Sequence, residues 1–278
     1  MALKGFGPGR ALCQAAGMDS SRYLDSLAAD FALLRAAATA AGLDAPVPSC
    51  PGWTVTDLVR HTGEVYLHKT LAMRLGDFPG EQDWPDGIGA QPPLELLDRT
   101  YAGLTHELTT RAPDSPAPSW YRPEPTVAFW TRRMAQETVI HRIDAELAAR
   151  AVTGQAVSPV PDDIAADGVD EVLIRFLGYG STAWPDEFAA LQGPRLETTG
   201  GDDTVVVTTG TATWTVRPRP DRVDVQAGSG GDVHATVGGD PAPLLGWLWG
   251  RGGEERVSVS GDPAWADYLR RLLVATTQ

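Results

Sequence analysis

Residues 129–146 read Phe129-Trp-Thr-Arg-Arg-Met-Ala-Gln-Glu137-Thr-Val-Ile-His141-Arg-Ile-Asp144-Ala-Glu146. Within them Trp130, Met134, Glu137, His141 and Asp144 recur at steps of four, three, four and three, the spacing of one α-helical face. Trp130 and Met134 mark that face as inward. A carboxylate and an imidazole one turn apart therefore point into a helical core. Burying an unpaired carboxylate is expensive, and a metal ion offsets the cost directly. An intrahelical Glu137–His141 hydrogen bond, supported by Arg133 or Arg142, is the alternative reading.

Working upstream, the stretch Cys50-Pro-Gly-Trp-Thr-Val-Thr-Asp-Leu-Val-Arg-His61 opens a second helix. Thr54 and Asp57 form a capping box, and the helix is expected to run to about Leu75. Leu58, His61, Val65 and His68 lie on one stripe of it, so His61 can face the same interior as Glu137 and His141. Two imidazole nitrogens and one carboxylate oxygen suit zinc, with a fourth position left for water or substrate. Other divalent metals fit the same donors. Asp144, one turn beyond His141, is placed as an outer contact to the metal site or to substrate, and His68 as a supporting group. Position 133 is Arg and position 136 is Gln, so no His-Glu-x-x-His motif exists and a zincin protease is excluded. His61 and Glu64 give only the reverse of the Glu-x-x-His order of di-iron bundles.

Further outward, a stripe of Leu24, Leu27, Phe31 and Leu34 predicts a first helix capped by Ser20 or Ser21 and ended by Gly42. Leu94, Leu97, Tyr101, Leu104 and Leu108 predict a third, with Pro93 in its first turn. The stretch 129–146 belongs to a fourth. Four helices in this span make a bundle. After Gly154 the texture changes. One helix is expected near Asp163 to Leu177. Short β-rich runs follow at residues 204–209, 212–216, 222–226 and 232–237, separated by Gly and Asp turns. Two helices, 241–249 and 263–275, bracket a strand at 256–260. The reading is α+β: a flexible extension over residues 1–17, a four-helix metal-binding bundle over 18–154, and a small α+β domain over 155–278.

Composition narrows the function. The 278 residues carry 23 Lys plus Arg against 36 Asp plus Glu, a net charge of −13. A positive surface for nucleic acid or anionic membrane is disfavoured. No apolar run is long enough to span a bilayer. Cys13 and Cys50 make no disulfide framework, which points to a reducing cytoplasm. Cys50 itself, with no activating base in view, reads as a small buried residue. His106 and His234 read as surface or strand residues, and Trp53 as packing for the second helix. The acidic pairs at 162–163, 202–203 and 254–255 read as solvated turns. Lysine occurs only at Lys4 and Lys69, a bias typical of GC-rich, actinobacterial genomes.

The two motifs, about 76 residues apart, resemble those of the mycothiol-dependent maleylpyruvate isomerase family, within the wider group of DinB-like metal-binding four-helix bundles. The tail, with Pro243-Leu-Leu-Gly-Trp-Leu-Trp-Gly-Arg251, is similar to that family's sterol-carrier-like C-terminal domain. The resemblance implies that His61, Glu137 and His141 hold a divalent zinc and that the thiol mycothiol is the cosubstrate. It also implies that a C-terminal-domain arginine stands near the site, best matched by Arg251, with Arg256 close in sequence. A guanidinium fork suits a carboxylate, so Arg251 is expected to hold an acidic electrophile. Capping the preceding helix is its plainer role. The implied chemistry is isomerisation or S-conjugation of a small electrophile. Two other readings remain open at this point. One is metal-dependent hydrolysis, with Glu64 or Asp144 as base. The other is a non-catalytic protein enclosing an apolar ligand.

Overall fold

The computed structural model describes residues 18–186, 188, 203–252, 254–274 and 276–277; the extension expected over 1–17 and Asp202 of the acidic pair lie outside them. The first half consists of four long helices, α1 (Ser20–Ala41), α2 (Val55–Leu75), α3 (Pro93–Thr110) and α4 (Val127–Thr153). Asp19, rather than Ser20 or Ser21, caps α1: its carboxylate accepts from the Ser21 N–H at 2.9 Å. An ionised acceptor there also meets the positive end of the helix dipole. At α2 the capping box forms as read, Thr54 and Asp57 each accepting from the other's backbone N–H.

α1 lies along α4 and α2 along α3. The buried side of α1 runs through Tyr23, Ser26, Leu27, Asp30, Leu34, Ala37, Ala38 and Ala41, rotated from the expected stripe. Leu24 and Phe31 are only partly buried, and Phe31 stacks on Tyr101 of α3 at 3.6 Å between ring centroids. The rotation has a polar cause. Arg142 on α4 is fully buried, donating from Nε to Asp30 at 2.9 Å and from Nη1 to Glu146 and the Ser158 carbonyl, both at 2.7 Å. An inward Asp30 is the partner that a buried guanidinium requires. In the other pair, a Cβ on Gly63 would lie 3.2 Å from Leu96 Cγ, so glycine lets α2 and α3 nearly touch.

The second half opens with α5 (Asp162–Asp170), which continues into a π-helical segment (Glu171–Tyr179) and a last turn, α6 (Gly180–Ala183). A regular helix is the expectation here, and the π winding corrects it. Bonding from i to i+5 stacks residues five apart, whereas in an α-helix they would stand about 140° apart. The consequence is visible twice. Asp170 and Arg175 pair at 3.3 Å. Glu171 and Phe176 both meet the Arg133 guanidinium, one at 3.0 Å and the other with its ring centroid at 4.9 Å.

Five strands follow, β1 (Val205–Thr208), β2 (Thr213–Pro218), β3 (Val223–Ala227), β4 (Ala235–Gly239) and β5 (Val257–Gly261). Their order is β3-β2-β1-β4-β5, with β1 and β4 parallel and the other pairs antiparallel. α7 (Pro241–Leu248) links β4 to β5, and α8 (Pro263–Val274) buries Trp265, Tyr268, Leu269, Leu272 and Leu273. The architecture is α+β, a helical N-terminal region followed by a five-stranded sheet with helices. The apolar residues of both halves form one contiguous core.

Candidate metal centre

α2 and α4 present His61, Glu137 and His141 to a common point. One donor atom from each lies within 4.8 Å of the others, the one such grouping among the described residues. Glu137 Oε1 is 3.2 Å from His141 Nε2 and 3.7 Å from His61 Nε2. Bonds of about 2.0–2.2 Å to a tetrahedral ion put donor atoms at separations of that size, so the residues fit a divalent metal. Glu137 and His141 are buried, whereas the His61 side chain is 41% exposed. The centre therefore opens to solvent on the His61 side. Trp53 packs its ring 5.1 Å from that of His61.

Around the three donors stands a second layer of charge. Arg133 holds Glu137 Oε2 by a short ion pair and Glu171 at 3.0 Å, which leaves Glu137 Oε1 facing the imidazoles. Despite burial, Arg133 and His141 keep the Glu137 carboxyl well below the usual range. Asp144, fully buried, accepts from His141 Nδ1 at 3.0 Å and from Ser49 Oγ at 2.5 Å. A proton on Nδ1 turns the Nε2 lone pair toward the cluster. Burial opposes charge on His141, but Glu137 and Asp144 raise its pKa to about 9, so a metal that takes the Nε2 lone pair displaces a proton. Asp144 stays low against its own burial because His141 and Arg251 flank it.

Arg251 reaches in from the second half of the chain. Its Nε donates to Asp144 Oδ1 at 2.9 Å and its Nη2 to Oδ2 at 3.1 Å. Nη1 donates to the Trp249 carbonyl at 2.5 Å, so it closes the end of α7 as well. Its fork is thus filled by the chain's own carboxylate. Arg256 lies away from the centre, with an exposed side chain and a 3.9 Å approach to Asp240.

A scan against family profiles matches residues 24–146 to the mycothiol maleylpyruvate isomerase N-terminal domain and residues 163–267 to the corresponding C-terminal domain. The chain belongs to the mycothiol maleylpyruvate isomerase family. Among solved structures, the crystal structure of the mycothiol-dependent maleylpyruvate isomerase covers 87% of this chain and 93% of its own at 13% identity, with a TM-score of 0.57. A histidine-to-alanine mutant of that isomerase gives the same TM-score and coverage at 12% identity. At such identity the likeness speaks to fold. The UbiJ-SCP2 ubiquinone synthesis protein aligns over 41% of the chain at 18% identity and a TM-score of 0.26, too distant to carry an argument. No curated protein gives a significant match.

Other expected residues fall as follows. Glu64 sits one turn from His61 with no hydrogen bond or ion pair among the described residues. Cys50 is 3.6 Å from Arg251, and burial, with Asp144, pushes its thiol up to about 11, so it is no thiolate. His106 is exposed. His234 accepts from the Thr204 N–H and lies against Trp265. His68 misses the cluster; it packs near Phe78 and Trp84, and burial lowers its pKa to about 4. Ser49 and Lys69 are neighbours that sequence reasoning passed over, and Arg133 entered it only as support for a Glu137–His141 pair. Arg133 had a signal, being one turn before Glu137 on the same helix. Ser49 and Lys69 had none.

Proposed function

We propose that this member of the family is a divalent-metal enzyme, zinc being the favoured ion, that uses mycothiol to isomerise or conjugate a small acidic electrophile in the cytoplasm. The observation that carries this reading is the convergence of one donor atom each from His61, Glu137 and His141 within 4.8 Å, with His61 partly exposed to solvent. A metal held there supplies the positive charge that keeps a thiol ionised at neutral pH.

The chain's own groups do the rest. Asp144 fixes the His141 tautomer, Arg133 holds the far oxygen of Glu137, and Arg251 holds Asp144 from the second half of the chain. Trp53 limits the motion of His61. Thiolate addition to an electron-poor double bond forms a C–S bond and leaves a single bond free to rotate. Breaking the C–S bond after rotation releases the trans isomer, and an adduct that persists is a conjugate. Of the two bases a hydrolase would call on, Asp144 is spent on His141 and Arg251, which leaves only Glu64.

Elemental mass spectrometry of the purified protein tests the proposal. Near one zinc per chain, lost in His61→Ala, together with mycothiol-dependent turnover of maleylpyruvate or of a related electrophile, is the expected result. No metal in either protein after zinc is supplied overturns it.

A further inference from the structure

Four arginines around the centre are each matched by carboxylates. Arg133 is paired with Glu137 and Glu171, Arg251 with Asp144, Arg132 with Asp167 and Asp170, and Arg175 with Glu124 and Asp170. Lys69 on α2 is close to the same face of α4 and has no carboxylate within ion-pair reach among the described residues. Its Nζ sits 4.9 Å over the ring of Trp130, two turns before Glu137, and 3.2 Å from His68 Nδ1.

An ammonium has three N–H donors and no acceptor. His68, kept neutral by its burial, takes one of them. The indole face of Trp130 offers a cation–π contact and no hydrogen-bond acceptor. At least one donor of a half-buried cation is left without a protein partner. Such a group is costly unless something compensates it. Burial accordingly lowers the Lys69 pKa to about 8, with Arg133 adding to the fall and Glu137 resisting it. Both of those charges belong to the centre, which places the amine in its field.

We propose that Lys69, on α2 over Trp130 of α4, is the cation that receives the carboxylate of the acidic electrophile. The proposal rests on the thiol-chemistry reading for its substrate class. It moves the anion-holding role from Arg251, whose fork Asp144 already fills, to a neighbouring cation with a donor to give. Lys69 thus selects acidic over neutral electrophiles, and Trp130 and His68 position it.

The chain has only two lysines, Lys4 and Lys69, so lysine-specific 13C labelling gives two side-chain signals. The signal missing from a Lys69→Arg variant is that of Lys69. Maleate, a dianion, and dimethyl maleate, its neutral diester, are titrated into the zinc-loaded protein. Maleate is expected to shift the Lys69 signal saturably, and the diester to leave it in place. Lys69→Met keeps the apolar stem. It is expected to weaken maleate binding at least tenfold with zinc content and thermal melting unchanged, and Lys69→Arg to restore part of the loss.

A Lys69 signal indifferent to saturating maleate, wild-type affinity in Lys69→Met, or no maleate binding by the wild type overturns the inference. The underlying reading fails differently. Absent zinc or absent mycothiol turnover with a maleate-responsive Lys69 sinks the thiol enzyme and leaves the anion site. Zinc and mycothiol turnover with an indifferent Lys69 sinks the anion site alone.

Discussion

Asp144 is the residue on which the centre turns. It is fully buried and carries His141, Ser49 and Arg251 at once. A carboxylate behind a ligating imidazole orients the ring and raises its basicity, and losing it costs about 10–100-fold in metal affinity. Asp144→Asn keeps the size and removes the charge. It is expected to lower zinc affinity by about that factor, measured by competition with a chromogenic chelator. Unchanged affinity would mean that the His141–Asp144 bond is structural only.

Between elements, single residues act as clasps. Glu107 near the end of α3 accepts from Arg74 of α2 at 2.6 Å and from Arg111 at 2.8 Å. Burial raises its pKa, but the two arginines more than offset this, and it lies below the ordinary value. A carboxyl depressed in the folded state stabilises the fold above its unfolded pKa of about 4.3. That contribution disappears as pH falls through the lower folded value. Arg74 is about half exposed and Arg111 a third, so the clasp is worth only about 1 kcal/mol. Glu107→Gln should lower Tm at pH 7, and the gap from wild type should close toward pH 3 in a melting series. A gap constant with pH would contradict the assignment.

At the scale of the whole molecule, the two halves meet along α4 and α5. Arg132 pairs with Asp167 and Asp170, and Gln136 donates to the Ile164 carbonyl and to Asp167. Gly168 lies in this seam: a Cβ there would stand 2.6 Å from Gln136 Oε1 and 3.0 Å from Leu245 of α7. Gly168→Ala is expected to cost about 1–3 kcal/mol by overpacking, seen as a lowered midpoint in urea. Gly89→Ala, with nothing within 4 Å, is the control. Equal midpoints would show that the seam yields freely.

How much of this was legible follows from the range of each signal. Helix positions, the five strands and the shared face of Glu137 and His141 depend on periods of 3.6 and 2, which local sequence carries. His61 was readable because it too lies on an apolar stripe. The π winding after Glu171 was not, since hydrophobic period hardly separates it from an α-helix. The inward Asp30 was not, since its reason is Arg142, more than a hundred positions away. Likewise, Arg251 could be placed near the centre by resemblance, but that its fork is filled by Asp144 is a fact of two halves meeting. The sequence by itself determined the α+β order and the three donor types on their helices. Only the tertiary structure decided which charges cancel around the centre, because pairing joins residues far apart in the chain, and that Lys69 lies over Trp130 without a carboxylate emerges only once those pairs have been made.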